Sequence, residues 1–246
     1  MKVYKYRYGS KRDLEALKQD YFYAPNFLDL NDPYEGMYVD EILSASELHP
    51  YLKDGFSRFY EGIKCYGIYS LSKTAIDELL WAYYANSHQG FCIEYDQAVL
   101  LQIKNIHTCC EVEYRDDLPK LNFNSVFINN SITKLNRLIF GKKSKRWRHE
   151  DEIRIIMEHY GKVKYDFRAV KAIYFGLRMP KMKEDLDKNN ESLPDYLSQV
   201  CQEQIMQTLR GRGIKYYQMA FKSNSYEFEY IQVIDPYKDV EKYKIL

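Results

Sequence analysis

Several things are missing from this sequence. It has no apolar run long enough to cross a bilayer as a helix, and Met1 to Arg7 carry no apolar leader. Membrane insertion and secretion are therefore not expected, and the expected location is cytoplasmic. Net charge is almost absent: 36 Lys and Arg against 35 Asp and Glu leave +1. Such a chain has no overall field for a polyanion and no general nucleic-acid signal. The five cysteines, Cys65, Cys92, Cys109, Cys110 and Cys201, include no C-x-x-C spacing. That argues against a disulfide frame or a zinc site and for reduced, buried thiols. A Gly-x-Ser-x-Gly elbow is missing and the five histidines offer no evident nucleophile pairing, which sets aside a serine or cysteine hydrolase. Neither an internal repeat nor a low-complexity linker interrupts the 246 residues, a length that one domain can fill.

What the chain has is aromatic side chains, 16% of the total, with 25 tyrosines. Tyrosine combines contact area with a polar tip, so most should be half-buried core and a few could line a cleft. In chain order, Val3 to Arg7 reads as a strand, and Ser10 caps a helix from Lys11 to about Lys18. Tyr21 to Ala24 makes a second strand. Asn31-Asp-Pro-Tyr-Glu35 is turn chemistry, and a helical region is expected from Val39 to Tyr60, broken at Pro50. Ile63 to Leu71 reads as a strand that leads into Tyr69-Ser-Leu-Ser72. The next helix, Ala75 to Ser87, divides into an inward face of Ile76, Leu79, Leu80 and Tyr83 and a second stripe of Asp77, Trp81, Tyr84 and His88. Such a stripe lines a cleft, or else the Asp and His satisfy each other around a half-buried Trp. Phe91 to Tyr95 and Ile106 to Tyr114 are strands, and a helical interval follows at Asp117 to Lys143. The cations Lys142, Lys143, Lys145, Arg146 and Arg148 suit a solvated helix end, with phosphate holding as the alternative. Further strands are expected at Lys162 to Phe167 and Lys171 to Phe175, then a helix from Ser192 to Arg210 stopped by Gly211 and Gly213, and a hairpin of Ile214 to Phe221 with Tyr226 to Ile234. The expectation is one α+β domain over residues 1–246, with a mixed, mostly antiparallel sheet or sheets flanked by helices.

The segment Lys145 to Ile156 carries the most chemistry. It packs Trp147, Glu150, Glu152 and Arg154 ahead of an apolar alternation, Ile153, Ile155 and Met157, that reads as a strand. If the chain is already extended at Glu150, then Glu150, Glu152 and Arg154 project to one face. The choice is between a structural ion pair, with Glu94 a candidate partner for Arg154, and a catalytic carboxylate.

An ordered set of pieces resembles a bacterial family catalogued as domain of unknown function 2971: Tyr4-Lys-Tyr-Arg7, Asn31-Asp-Pro-Tyr-Glu35, Trp81-Ala-Tyr-Tyr84, His88-x-Gly90, Phe91 to Asp96, Trp147-Arg-His-Glu150-Asp-Glu152-Ile-Arg154 and Ile173-Tyr-Phe-Gly176. It covers roughly the first three quarters of the chain. That resemblance implies a bacterial cytosolic protein and no established activity. The order Arg7, then Ser70-Leu-Ser72, then Glu150-x-Glu152 also resembles the pattern of ADP-ribosyltransferases. This second resemblance implies split sheets, with Arg7 on the phosphates of NAD and Ser70 and Ser72 bracing its nicotinamide-ribose pocket. Glu152 would stabilise an oxocarbenium-like sugar while Glu150 orients or deprotonates an acceptor, itself a protein or a nucleic acid. A fixed carboxylate suits the positive charge that builds when an N-glycosidic bond breaks. Arginine's planar fork suits a diphosphate, and Trp81, Tyr84 or a tyrosine of the Asn31 to Tyr38 loop could stack on a ring. The competing expectations are a non-enzymatic sensor or partner-binding module of a bacterial defence or stress system, and, third, a nuclease with a divalent metal on Asp32, Glu35, Glu150 and Glu152.

Overall fold

The computed structural model describes residues 1–41, 54, 57–58, 61–122, 132–186 and 193–237. The chain forms two compact units, each assembled from separate stretches. Unit 1 takes Met1–Phe22, Leu71–Ile103 and Lys164–Leu246; unit 2 takes Tyr23–Ser70 and Lys104–Val163. Both units are α+β, and the strand pairs of the chain are mostly antiparallel, the class that the alternation of periods in the sequence indicates. Among the described residues, no helix is long and apolar enough to cross a membrane.

Unit 1 is built on the strands Phe228–Val233, Lys215–Phe221, Val170–Phe175, Phe91–Asp96 and Lys2–Arg7, hydrogen-bonded in that order. Only the Val170–Phe175 and Lys215–Phe221 pair is parallel, and the Gln202–Thr208 helix lies between those two strands in sequence. Phe91–Asp96 sits centrally and is buried from Phe91 through Tyr95, as a strand covered on both faces must be. One face carries a core of Tyr6, Leu80, Trp81, Cys92, Tyr174 and Met219. The Lys11–Lys18 helix starts in a reciprocal cap: the Asp13 amide donates to the Ser10 hydroxyl at 3.3 Å, and the Ser10 amide donates to the Asp13 carboxylate at 3.1 Å.

In unit 2, Glu152–Met157 pairs antiparallel with Ile106–Glu111 and has the Gly67–Ser70 part of the Gly67–Ser72 strand as its other neighbour. Short parallel pairs join Val39–Asp40 to Lys120–Leu121 and Glu113–Arg115 to Lys142–Ser144. The Ile132–Phe140 helix contributes Leu135, Ile139 and Phe140 to a core with Phe27, Ile68 and Ile156.

Four expectations are corrected. Val39–Asp40 is a strand and not the start of a helix, because the Val39 amide donates to Pro119 and the Glu41 amide to Leu121; most of 41–60 lies outside the described residues. The helix expected from Ser192 to Arg210 is only a 3-10 turn at Asp195–Leu197 and an α-helix at Gln202–Thr208. Between them the Ser198 carbonyl accepts from the Lys11 amide and the Val200 amide donates to Gly9, so tertiary backbone pairing overrides local helix propensity. The Asp77-capped helix spans only Glu78–Tyr84 and turns over relative to the expected faces. Trp81 and Leu80 are buried while Ile76, Leu79 and Tyr83 are exposed, since the indole N–H reaches the Ala75 carbonyl at 2.8 Å and its ring meets Tyr6 edge-on. Lys142–Ser144 is a strand, and Lys143 in its middle points inward.

Candidate functional site

The charged residues of unit 2 converge on one buried cluster. The turn at Asn31–Glu35 sets Glu35: the Asp32 carboxylate accepts from the Tyr34 amide at 3.0 Å and the Asp32 carbonyl from the Glu35 amide at 3.1 Å. Glu35 then takes Arg154 bidentately, from Nη1 at 2.7 Å and Nη2 at 2.5 Å. Nε and Nη2 of Arg154 also donate to the two oxygens of Glu152, at 2.8 and 3.0 Å, and Nη1 reaches the Phe140 carbonyl at 2.7 Å. All five N–H donors of a fully buried guanidinium are thereby satisfied.

Glu150 does not share the strand. It ends the 3-10 turn Lys145–Glu150, and Asp151 follows with φ of 39° in the left-handed region. It rejoins Glu152 through Lys143, whose ammonium lies 2.6 Å from Glu150 and 3.3 Å from Glu152 and sits over the Trp147 ring. The Glu152 amide donates to the Tyr114 hydroxyl at 2.8 Å, and the Ser70 hydroxyl hydrogen-bonds the Glu152 carboxylate. Burial pushes the Glu152 carboxyl up, but Arg154 and Lys143 beside it outweigh burial and hold it at about 2. Burial works against the charge on Lys143 as well, and Glu152 and Glu150 overcome it, so that the ammonium is held above its usual range. Three carboxylates against two cations leave the cluster one formal negative charge.

The residues expected to form a site are placed as follows. Ser70 and Glu152 meet. Arg7 belongs to unit 1, where its Nε lies 3.3 Å from Asp13, the capping carboxylate of the first helix. The Ser72 hydroxyl accepts from the Thr74 amide at 3.1 Å and shapes a turn. Tyr84, half-buried, packs against the Trp81 core and meets Tyr83 edge-on. His88 has φ of 69°, its amide donates to the Trp81 carbonyl and its carbonyl accepts from the Arg178 amide. Burial, with Arg178 nearby, lowers the His88 pKa, so its ring is neutral near pH 7. A Cβ on Gly90 would stand 2.1 Å from the Arg7 carbonyl, and one on Gly176 would stand 2.2 Å from that of His88. The spacing His88-x-Gly90 is therefore required by close backbone approach.

Three residues take places other than those expected. Lys143, one of the cations that suit a solvated helix end, is instead the one residue of Lys142–Ser144 that the strand alternation turns inward. Glu35, a candidate metal ligand by its chemistry, serves instead as half of an arginine clamp, 119 positions from its partner. Glu94, expected beside Arg154, lies in unit 1. There its carboxylate accepts from Tyr174 at 2.7 Å, from Tyr4 at 3.4 Å and from Lys2 at 3.2 Å.

The residues that close the charged cluster lie at the end of a recognisable block. Residues 80–155 match the family model described as Protein of unknown function (DUF2971). The DUF2971 match takes in Trp81–Tyr84, His88-x-Gly90, Phe91–Asp96, Glu150, Glu152 and Arg154, and that description assigns no activity. No curated protein and no solved structure matches the chain.

Proposed function

We propose that this chain acts by binding, as the sensor or partner-binding component of a bacterial, cytosolic defence or stress system, with its unit 2 carboxylates serving the fold. The observation that carries the reading is the pairing of buried Glu152 with two buried cations. A carboxylate has about four lone-pair sites. Here Arg154 Nε, Arg154 Nη2, Lys143 and Ser70 supply four donors. A carboxylate that stabilises a developing sugar cation acts through its uncompensated charge, and two buried cations already compensate this one. The bacterial setting follows the family resemblance, and five free thiols suit a reducing compartment.

A specific observation keeps the NAD-dependent ADP-ribosyltransferase reading as second: Ser70 and Glu152, two of the three positions in that pattern, do touch. One experiment separates the two. Purified protein and Glu152→Gln are incubated with NAD, nicotinamide release is measured, and urea unfolding is followed in parallel. The binding reading expects no release from either protein and a large loss of stability in the variant. Release by the wild type that disappears in a Glu152→Gln protein of unchanged stability would establish the enzyme instead.

A further inference from the structure

Unit 1 has a groove of about 870 Å³ between the Lys11–Lys18 helix, the Gln202–Thr208 helix and the turn at Asp195–Leu197. That volume lies in the range of small-molecule sites. Its charge is one-sided in a chain whose total is only +1. Lys11, Arg12, Lys18, Arg210 and Arg212 line it, against Glu15 and Asp195. Two of these cations are already committed, Lys11 to Asp195 and Arg212 to Asp20. The exposed Arg12, Lys18 and Arg210 remain, opposed by Glu15 alone. Arg212 is fixed in place, its guanidinium donating to the Leu17 and Lys18 carbonyls at the end of the first helix and lying over Phe167. Tyr196, 55% exposed, offers a ring at the rim.

We infer that this groove binds a nucleoside polyphosphate, with Arg12, Lys18 and Arg210 on the phosphates and Tyr196 against the base. Cations drawn from the first helix and from the loop after the second match a ligand carrying several negative charges within a few ångströms, and arginine's fork matches phosphate geometry. A flat ring at the rim gives such a ligand a second point of attachment that free polyphosphate lacks. The total charge of +1 supplies no long-range steering, so the attraction is local and weakens with salt. The inference stands apart from the unit 2 carboxylates and does not depend on whether Glu152 cleaves anything.

The test is calorimetry and thermal shift of the whole chain with metal-free ATP and with inorganic tripolyphosphate. Saturable binding of ATP is expected. Arg210→Glu or Lys18→Glu should weaken it more than ten-fold without lowering the melting temperature of the unliganded protein, since both side chains are exposed. Tyr196→Ala should weaken ATP and leave tripolyphosphate unchanged. Lack of saturable binding, equal affinity in the charge reversals, or a single-stranded RNA that binds far more tightly than ATP and is displaced by it would each overturn the assignment. Every readout is binding, so nicotinamide release from NAD bears only on the separate unit 2 reading.

Discussion

Glu152 in unit 2 and Glu94 in unit 1 are both strand carboxylates and both 4% exposed, yet they are satisfied by different chemistry. Glu152 is met by a buried arginine and a buried lysine. Glu94 is met by two phenols and by the ammonium of Lys2, a side chain that remains 64% exposed. Equal burial therefore says little about role; the identity of the donors says more. Full charges in a dry site lock a carboxylate into one state, whereas phenols pass the perturbation on to themselves. Tyr4 shows this: burial first and the charge of Glu94 second push its hydroxyl up to about 12. The Tyr174 hydroxyl is pushed up further, by burial and by its bond to Glu94.

The comparison breaks first at Arg154. Arg154→Met removes all five donors and, among the described residues, leaves Lys143 as the one cation beside the buried Glu35 and Glu152, and should cost about 3–5 kcal/mol in urea unfolding. A loss below about 1 kcal/mol would show that unit 2 does not depend on the clamp. The acid limb of stability comes next. The folded pKa of Glu152 is held down at about 2 from an ordinary 4.5. Its contribution is therefore fully present above about pH 4.5 and is lost as pH falls through 4.5 toward 2. The difference corresponds to on the order of 3 kcal/mol. Unfolding free energies measured across that window should drop steeply in the wild type and less in Glu152→Gln; parallel curves would remove Glu152 from the acid response. The smallest effect belongs to unit 1. Tyr174→Phe deletes one hydrogen bond to Glu94 and should cost about 1–2 kcal/mol, with Tyr4 still titrating above 10 because burial is its larger perturbation. A loss as large as that of Arg154→Met would erase the distinction between the two carboxylates.

Much of this was legible in the residues. The strands at Lys2–Arg7, Tyr21–Ala24, Phe91–Asp96, Glu152–Met157 and Val170–Phe175 follow from β-branched and aromatic runs, and the Ser10 cap from its spacing to Asp13. The terminal hairpin also formed as read. Chain-distant pairing was not legible. Nothing local at Ser198 tells that its carbonyl will accept from Lys11, or at Val39 that it will pair beside Pro119. In the Glu78–Tyr84 helix, spacing aligns Trp81 with the polar stripe, but its bulk and its bond to Ala75 draw it into the core. In the charged segment, the meeting of Glu152, Arg154 and Ser70 combines strand alternation with a short motif, while Glu35 enters only through a fold that no window of sequence contains.

The discontinuity of unit 1 has a consequence for biosynthesis. A ribosome delivers every stretch of unit 2 by Val163, but at that moment the central Phe91–Asp96 strand of unit 1 has only Lys2–Arg7 to pair with. Its other edge waits for Val170–Phe175, and the outer rows wait for Lys215–Phe221 and Phe228–Val233. For that interval an apolar strand edge stands open to other nascent chains, so slowing elongation after Val163 should lower the soluble yield more than slowing it before Tyr23.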